Sequence, residues 1–372
     1  MPVSPDCFLR WMKVKGDYSV AMGHSIATGN FSTALGFSKA SGLHSTALGY
    51  SIASNNAATA MGQSTASGNN ATAMGGSNAL GDFSTAAGYF SYAYGRNSVA
   101  MGHYSNASGD NSTAIGESIA GGTYSTSMGY KSNAAGSIST ATGESVASGD
   151  HSTAMGKSTA FGQYSTSAGQ GTASGNLSTA LGSGVASGDY STAVGTNTRA
   201  SGTNAISIGD NTIAKAGFET VLGTYNTDYN PASTTGWNPS DRLFTVGNGT
   251  NSKAASDAVV ILKNGNMGIG TSVPDARLSI AENSSMPQLK LFQGTGTDYV
   301  RLRLSTINSN INNRSWDIAA NIDAGAATAD RLNFYHNSAG NILSLRGNGN
   351  IGIGTVNSNA SLQFANTLAT EK

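Results

Sequence analysis

Between Gly16 and Gly223 the sequence returns to one short phrase every 13 or 14 residues. Asn30-Phe31-Ser32-Thr33-Ala34-Leu35-Gly36 is a clean long copy, and Gln63-Ser64-Thr65-Ala66-Ser67-Gly68 is one of the shorter, more polar copies between them. The long copies end at Gly23, Gly36, Gly49, Gly62, Gly75, Gly88 and Gly102, then at Gly116, Gly129, Gly143, Gly156, Gly169, Gly182, Gly195 and Gly209. A fixed period over half a chain constrains the architecture before any local propensity does. Thirteen is not a multiple of 3.6, and the copies are rich in Gly and Ser without Leu/Glu/Lys periodicity, so a helical solenoid is excluded. Short strands separated by Gly turns fit an all-β chain: a β-solenoid whose coils each hold one long and one short copy and pair at ~4.8 Å. About fifteen such coils make a rod on the order of 70 Å long.

Composition supports a repetitive fold over a compact globule. Charged residues are 11% of the 372, and Gly alone occupies 49 positions. Ala inflates the 38% hydrophobic content, so the large side chains that offset conformational entropy are scarce. The 20 Lys+Arg balance the 20 Asp+Glu; no basic stripe is present to neutralise phosphates, which argues against nucleic acid as a partner. The single cysteine, Cys7, excludes an intrachain disulfide framework and a Cys-rich metal site. No apolar run reaches the ~20 residues of a membrane helix, so direct membrane insertion is not expected. Residues 1–15 read as a leader or the remnant of a preceding domain rather than a signal peptide, so the chain is expected to be a fragment or to be exported by another route.

Period-two alternation assigns faces. In both copy types the Gly and the residues two and four before it are Gly, Ala and Ser, a small face that must point inward. The residue before Gly distinguishes the copies. In long copies it is apolar: Met22, Leu35, Leu48, Met61, Met74, Met101, Ile115, Met128, Met155, Leu181, Val194 and Ile208. In short copies it is mostly polar, as in Thr28, Ser41 and Ser148. An apolar column along a rod is a large patch for a lone chain. Its economical fate is burial between identical copies in cyclic symmetry, although the pattern does not give their number.

The copies resemble the head repeats of YadA-like trimeric autotransporter adhesins, whose unit reads approximately Asn-Ser-x-Ala-Ile-Gly. Asn111-Ser112-Thr113-Ala114-Ile115-Gly116 and Asn97-Ser98-Val99-Ala100-Met101-Gly102 match it directly. The resemblance covers residues ~16–223. It implies a left-handed parallel β-roll, a homotrimer around one axis, and adhesion to a receptor, glycan or matrix ligand whose identity is open. One column departs from that family. The slot before Ser, often Asn there, holds Tyr18, Phe31, His44, Phe83, Tyr124, His151, Tyr164 and Tyr190 here. Rings at a repeated turn edge either stack and stiffen it or form a platform for sugar rings and other weak ligands. Tyr18, Phe31, Phe83, Tyr124, Tyr164 and Tyr190 are the candidate ligand-binding residues. A second such column, after the long-copy Gly, holds His24, Phe37, Tyr50, Tyr89, His103 and Tyr130.

After the array the pattern loosens. Asn230-Pro231, Gly236-Trp237 and Asn238-Pro239 mark a neck or connector over 224–257. Asn264-Gly265-Asn266-Met267-Gly268-Ile269-Gly270-Thr271 lies in a first connector, 258–280, and returns as Gly349-Asn350-Ile351-Gly352-Ile353-Gly354-Thr355 in a second, 347–372. Both resemble connectors of bacterial surface fibres and phage tail fibres, which often precede a chaperone domain. Residues 281–346 read as a small β domain, also expected to be trimeric, and the end of the chain as the approach to a missing C-terminal domain.

Catalysis finds no motif. Four of the five histidines, His24, His44, His103 and His151, fall in repeat slots, and none has a partner nucleophile at motif spacing. Gly156-Lys157-Ser158 is the end of a P-loop in appearance only, because His151 stands where its phosphate-cradling glycine belongs. Asp17, Asp82, Asp110, Asp150 and Asp189 follow a repeat Gly, but the period is wrong for calcium β-rolls. No cofactor or metal is called for. The expectation is a non-enzymatic, extracellular fibre segment: an adhesin on a bacterial surface, or alternatively a phage or virus tail-fibre receptor-binding protein. An ice-binding solenoid is a minor alternative, disfavoured because the outward Thr33 and Thr46 share their face with Leu35 and Leu48.

Overall fold

A computed structural model describes residues 12–282, 285–292, 299–308, 311–322 and 330–365. Cys7 and most of the expected leader, and the end of the chain from residue 366, lie outside the described residues. The chain divides into two compact units, Met1–Ala281 and Glu282–Lys372.

In the first unit short strands stack in parallel as two ladders. The short copies form a ladder of sixteen two-residue rungs from Lys13–Val14 to Ile213–Ala214. The long copies form the other, from Val20–Met22 to Thr220–Thr224. Rungs pair in strict register, as in Thr33↔Thr46, Ala34↔Ala47 and Leu35↔Leu48. Alanine is the core: Ala34, Ala40, Ala47 and Ala53 are fully buried, and the same holds at nearly every such position along the array. Only small side chains fit along most of the array where two ladders lie so close, so stability comes from backbone hydrogen bonds and many small contacts rather than from large side chains. Inward serines add to this. The Ser38 hydroxyl lies 2.7 Å from the Leu35 carbonyl and 2.6 Å from that of Gly49, tying one coil to the next.

The inward assignment holds for Ser and Ala in both copies and for Gly in the short ones only. Gly42 is buried, and a Cβ there would lie 1.9 Å from the Asn55 carbonyl oxygen of the next coil. Gly36 is exposed with φ +90°, turning the chain in a left-handed conformation that L-residues avoid. Period-two reasoning runs one residue too far in the long copy: the strand ends at or beside that Gly, which serves the turn.

The 14-residue coils have one local cause. Their extra residue follows the long-copy Gly, as in Gly88-Tyr89-Phe90-Ser91 and Gly102-His103-Tyr104-Ser105, and it is left-handed, at φ 52° in Phe90 and 53° in Tyr104. The insertion is absorbed in the turn, so Ala87 still pairs with Met101.

The array ends in a cap. Strand Arg242–Asn248 adds in parallel to the last long rung. Strand Asp257–Leu262 then runs antiparallel to it and stops the stacking. Asn226 replaces a missing rung: its Oδ1 accepts the Ile213 N–H at 2.8 Å and its Nδ2 donates to the Ile213 carbonyl at 3.0 Å. Arg242 is buried with Asp257, Nη2 to Oδ2 at 3.3 Å, and its guanidinium lies over the Tyr229 ring at 4.3 Å.

The recurrent Asn-Gly-Asn segments are the same structure twice. Val260 pairs with Gly268 and Gly268 with Ser279; Ser344 pairs with Gly352 and Gly352 with Gln363. The Leu262 N–H donates to the Asn266 carbonyl at 2.9 Å, as the Arg346 N–H does to Asn350. In the second unit four strands, Val300–Asn308, Ile311–Asn321, Arg331–His336 and Gly340–Arg346, pair antiparallel in order. They are followed by the second copy of this module.

Candidate functional site

Two columns on the outside of the rod carry its chemistry. The first is apolar. Register places Met22 beside Leu35, Leu35 beside Leu48, Leu48 beside Met61 and Met61 beside Met74. Met101, Ile115 and Met128 are likewise adjacent, as are Leu181, Val194 and Ile208. Met155 stands between Thr142 and Ala168. Ala87, Thr142 and Ala168 thin the column, while Leu222 and Val246, which the repeat pattern did not include, extend it onto the cap. Within one chain Met22, Met74, Met101, Ile115, Met128, Met155, Leu181 and Ile208 are exposed, up to 61% at Met22, while Leu35, Leu48, Met61 and Val194 are half-buried.

The second column is the aromatic edge. In Gly29-Asn30-Phe31-Ser32 the Ser32 N–H returns to the Gly29 carbonyl at 3.3 Å, and Phe31 has φ 56°. Only the third residue is left-handed, as in a type II turn, where Gly or Asn is the unstrained choice. Tyr18, Phe83, Tyr124, Tyr164 and Tyr190 all share that conformation, with φ between 56° and 59°. Some of these rings stack on their neighbours up the rod: Tyr18 on Phe31 at 5.2 Å, Phe31 on His44 at 4.9 Å, and His151 on Tyr164 at 4.5 Å. The second column does the same, His24 on Phe37 and Phe37 on Tyr50, both at 4.8 Å. Phe83, Tyr124 and Tyr190 have non-aromatic residues in the slots above and below: Asn70 and Asn97, Asn111 and Ile138, Leu177 and Asn204.

The aspartates after the short-copy Gly have a structural use in the same turns. Asp82 accepts the Asn69 N–H, Asp110 that of Arg96 and Asp150 that of Ser137, at 2.8, 2.8 and 2.9 Å. Each holds the turn of the preceding coil.

The family model described as YadA head domain repeat (2 copies) matches residues 15–38, 27–51, 66–91, 93–116, 120–144, 143–159 and 186–212. The array is built of YadA head repeats. No curated protein matches the sequence. The YadA head repeats therefore account for most of the periodic part of the chain.

Where the YadA head repeats end, the structure places a group that periodicity did not single out. Glu219 occupies the slot that holds Ser or Ala in other coils and is fully buried. Burial, first of all, pushes its carboxyl up to about 7, against the opposing pull of the Ala216 and Lys215 N–H groups and of the Arg242 and Lys263 charges. The signal was present in Phe218-Glu219-Thr220, an acid in a small inward slot.

Proposed function

We infer that the chain is a segment of a homotrimeric, non-enzymatic surface fibre: an adhesin whose rod offers many weak binding contacts at once. The apolar column carries the reading. Monomers rarely expose a contiguous apolar patch beyond a few hundred Å², and this one follows the rod for roughly 70 Å. One modest apolar side chain per coil suits a narrow seam between identical copies, and the YadA head repeats favour three of them on a common axis. The seam residues are Met22, Leu35, Leu48, Met61, Met74, Met101, Ile115, Met128, Met155, Leu181, Val194 and Ile208.

The aromatic edge then recurs around the axis as well as along it. A non-Gly residue held left-handed costs ~1–2 kcal/mol, and such strain concentrates at functional positions. Asn70, Asn97, Asn111 and Asn204 occupy the same slot without that penalty. Where no stacked neighbour offsets it, at Phe83, Tyr124 and Tyr190, ligand contact is the best account of the ring. Weak contacts of this kind combine through effective concentration into firm attachment. The fibre works outside the cell, on a bacterial surface, against a receptor, glycan or matrix ligand. The duplicated Asn-Gly-Asn module supports a second reading, a phage or virus tail fibre with the same rod.

The test compares the full chain with a Leu35→Asp/Leu48→Asp/Leu181→Asp variant on cultured cells and matrix-coated surfaces. The trimeric wild type should adhere and release slowly, and the variant should not. A wild type that adheres as a monomer, or a variant that adheres equally well, would sink the proposal.

A further inference from the structure

Coil 117–129 is the one 13-residue coil with a 14-residue coil on either side. The flanking turns, Gly102-His103-Tyr104-Ser105 and Gly129-Tyr130-Lys131-Ser132, carry the extra residue, and Tyr104 and Lys131 are left-handed at φ 53°. Between them Gly116-Glu117-Ser118 lacks it. A shorter turn therefore lies between two fuller ones, and a notch of about 400 Å³ opens there, within the ~300–1,000 Å³ range of small-molecule sites. Tyr104, Glu117 and Lys131 line it from the turns. Ile119, Asn133 and Val146 line it from successive rungs of the short-copy ladder. The apolar column, with Met101, Ile115 and Met128, stands on the other ladder.

Phe90 stacks on the Tyr104 ring at 5.4 Å, but the next slot along the rod holds Glu117, so the stack stops there. Tyr104 and Lys131 are two coils apart, ~9.6 Å. That is twice the 4.8 Å at which His24, Phe37 and Tyr50 stack, the space of one further ring. Among the described residues the side chains of Glu117 and Asn133 make no hydrogen bond or ion pair. The Lys131 ammonium lies over the Tyr130 ring at 4.8 Å, and Glu144, one coil on, is paired with Lys157 at 3.2 Å. One carboxylate and one ammonium leave the notch without net charge.

We propose that this notch binds a neutral sugar. The C–H face of the sugar rests on the Tyr104 ring, two hydroxyls donate to the Glu117 carboxylate, and the Asn133 amide donates to a further oxygen. An acidic sugar brings its charge against Glu117, and an amine brings its charge against Lys131. A plain aromatic ring leaves Glu117 and Asn133 without partners. The notch is separate from the edge column of Tyr124 and Tyr190, so it goes beyond the adhesion reading and does not depend on it.

The experiment titrates the full chain with the methyl glycosides of glucose, galactose, mannose and N-acetylglucosamine, by calorimetry and saturation-transfer NMR. Glucuronic acid, glucosamine and benzyl alcohol are run in parallel. At least one neutral glycoside should bind, and the three others far more weakly. Tyr104→Asn removes the ring while keeping a residue that tolerates the left-handed turn, and Glu117→Ala removes the acceptor. Each should weaken binding about tenfold or more with the circular dichroism unchanged, and either carries the test if the other fails to fold. Insertion of one Asn after Gly116 gives this coil its neighbours' length and should abolish binding by filling the notch. No uptake of any neutral glycoside, equal uptake of the acid, the amine or benzyl alcohol, or unaltered affinity in the variants would overturn the assignment. Sedimentation of the variants should match the wild type, so failure here is separable from failure of the trimer and of the adhesion reading.

Discussion

The Glu219 carboxylate closes the array by accepting the Ala216 N–H at 2.9 Å and the Lys215 N–H at 2.8 Å through one oxygen, Oε2. One coil earlier the Ala214 carbonyl does this for Ser201 and Gly202. A side chain thus stands in for the backbone of a coil that is not there. Because burial raises the folded-state value from 4.5 to about 7, the folded chain holds a proton that the unfolded chain has lost between those values. The contribution of Glu219 to stability is therefore greatest below pH ~4.5, falls as pH rises towards ~7, and levels off above, a difference of about 3 kcal/mol at most. Glu219→Gln keeps an oxygen for the two N–H groups without the charge. It should raise the thermal midpoint at pH 8 and leave it nearly unchanged at pH 4.5, as read by circular dichroism melts at both values.

The two kinds of glycine predict two kinds of damage. Gly42→Ala drives a methyl group into the Asn55 carbonyl of the next coil at 1.9 Å, so the ladder must part there. Gly36→Ala meets nothing closer than 3.1 Å and is penalised by its φ of +90°, a cost of ~1–2 kcal/mol. In denaturant melts the Gly42 variant should lose clearly more stability than the Gly36 variant, and its neighbouring amides should lose hydrogen-exchange protection. Equal losses would contradict the close-approach account.

The aromatic edge predicts stabilisation by removal. Tyr190→Asn should gain ~1 kcal/mol, since Asn tolerates the left-handed turn and no stacked ring is lost. Phe31→Asn gives up two ring contacts, each worth ~0.5–1.5 kcal/mol, and should gain nothing. Chemical denaturation of the two single variants separates these outcomes. If Tyr190→Asn also reduces adhesion, the ring is being kept for binding.

The seam predicts assembly state. In the trimer proposed above, Leu35→Asp, Leu48→Asp and Leu181→Asp together would place three carboxylates in each chain's share of the seam, and sedimentation should show dissociation to monomers. Val246→Asp, at the end of the same column on the cap, should loosen assembly less, because one end position can fray. Unchanged assembly in the triple variant would mean that the column faces elsewhere.

Much of this molecule was readable before its structure, and the reasons are local. Alternation along a strand is rigid, so Ala34 in and Leu35 out followed from spacing alone. Gly36 was misplaced because alternation does not announce where a strand ends; its role lies in its φ. Glu219 and Asn226 were missed for a different reason. A cap occurs once, and periodic reasoning sees only what recurs. In the second unit Arg303, Asp317 and Asn333 sit on three different strands, so only pairing register brings them to one face.

The 14-residue coils bear on how the length of this rod can change. Each variation in coil length is taken up in the turn after Gly88, Gly102 or their equivalents, while the ladders keep their step. Gaining or losing a whole coil therefore moves the tip by ~4.8 Å and leaves every remaining contact as it was. The length of such a rod is therefore set by the count of near-identical units, in increments finer than any change of domain would allow, with neither column rebuilt.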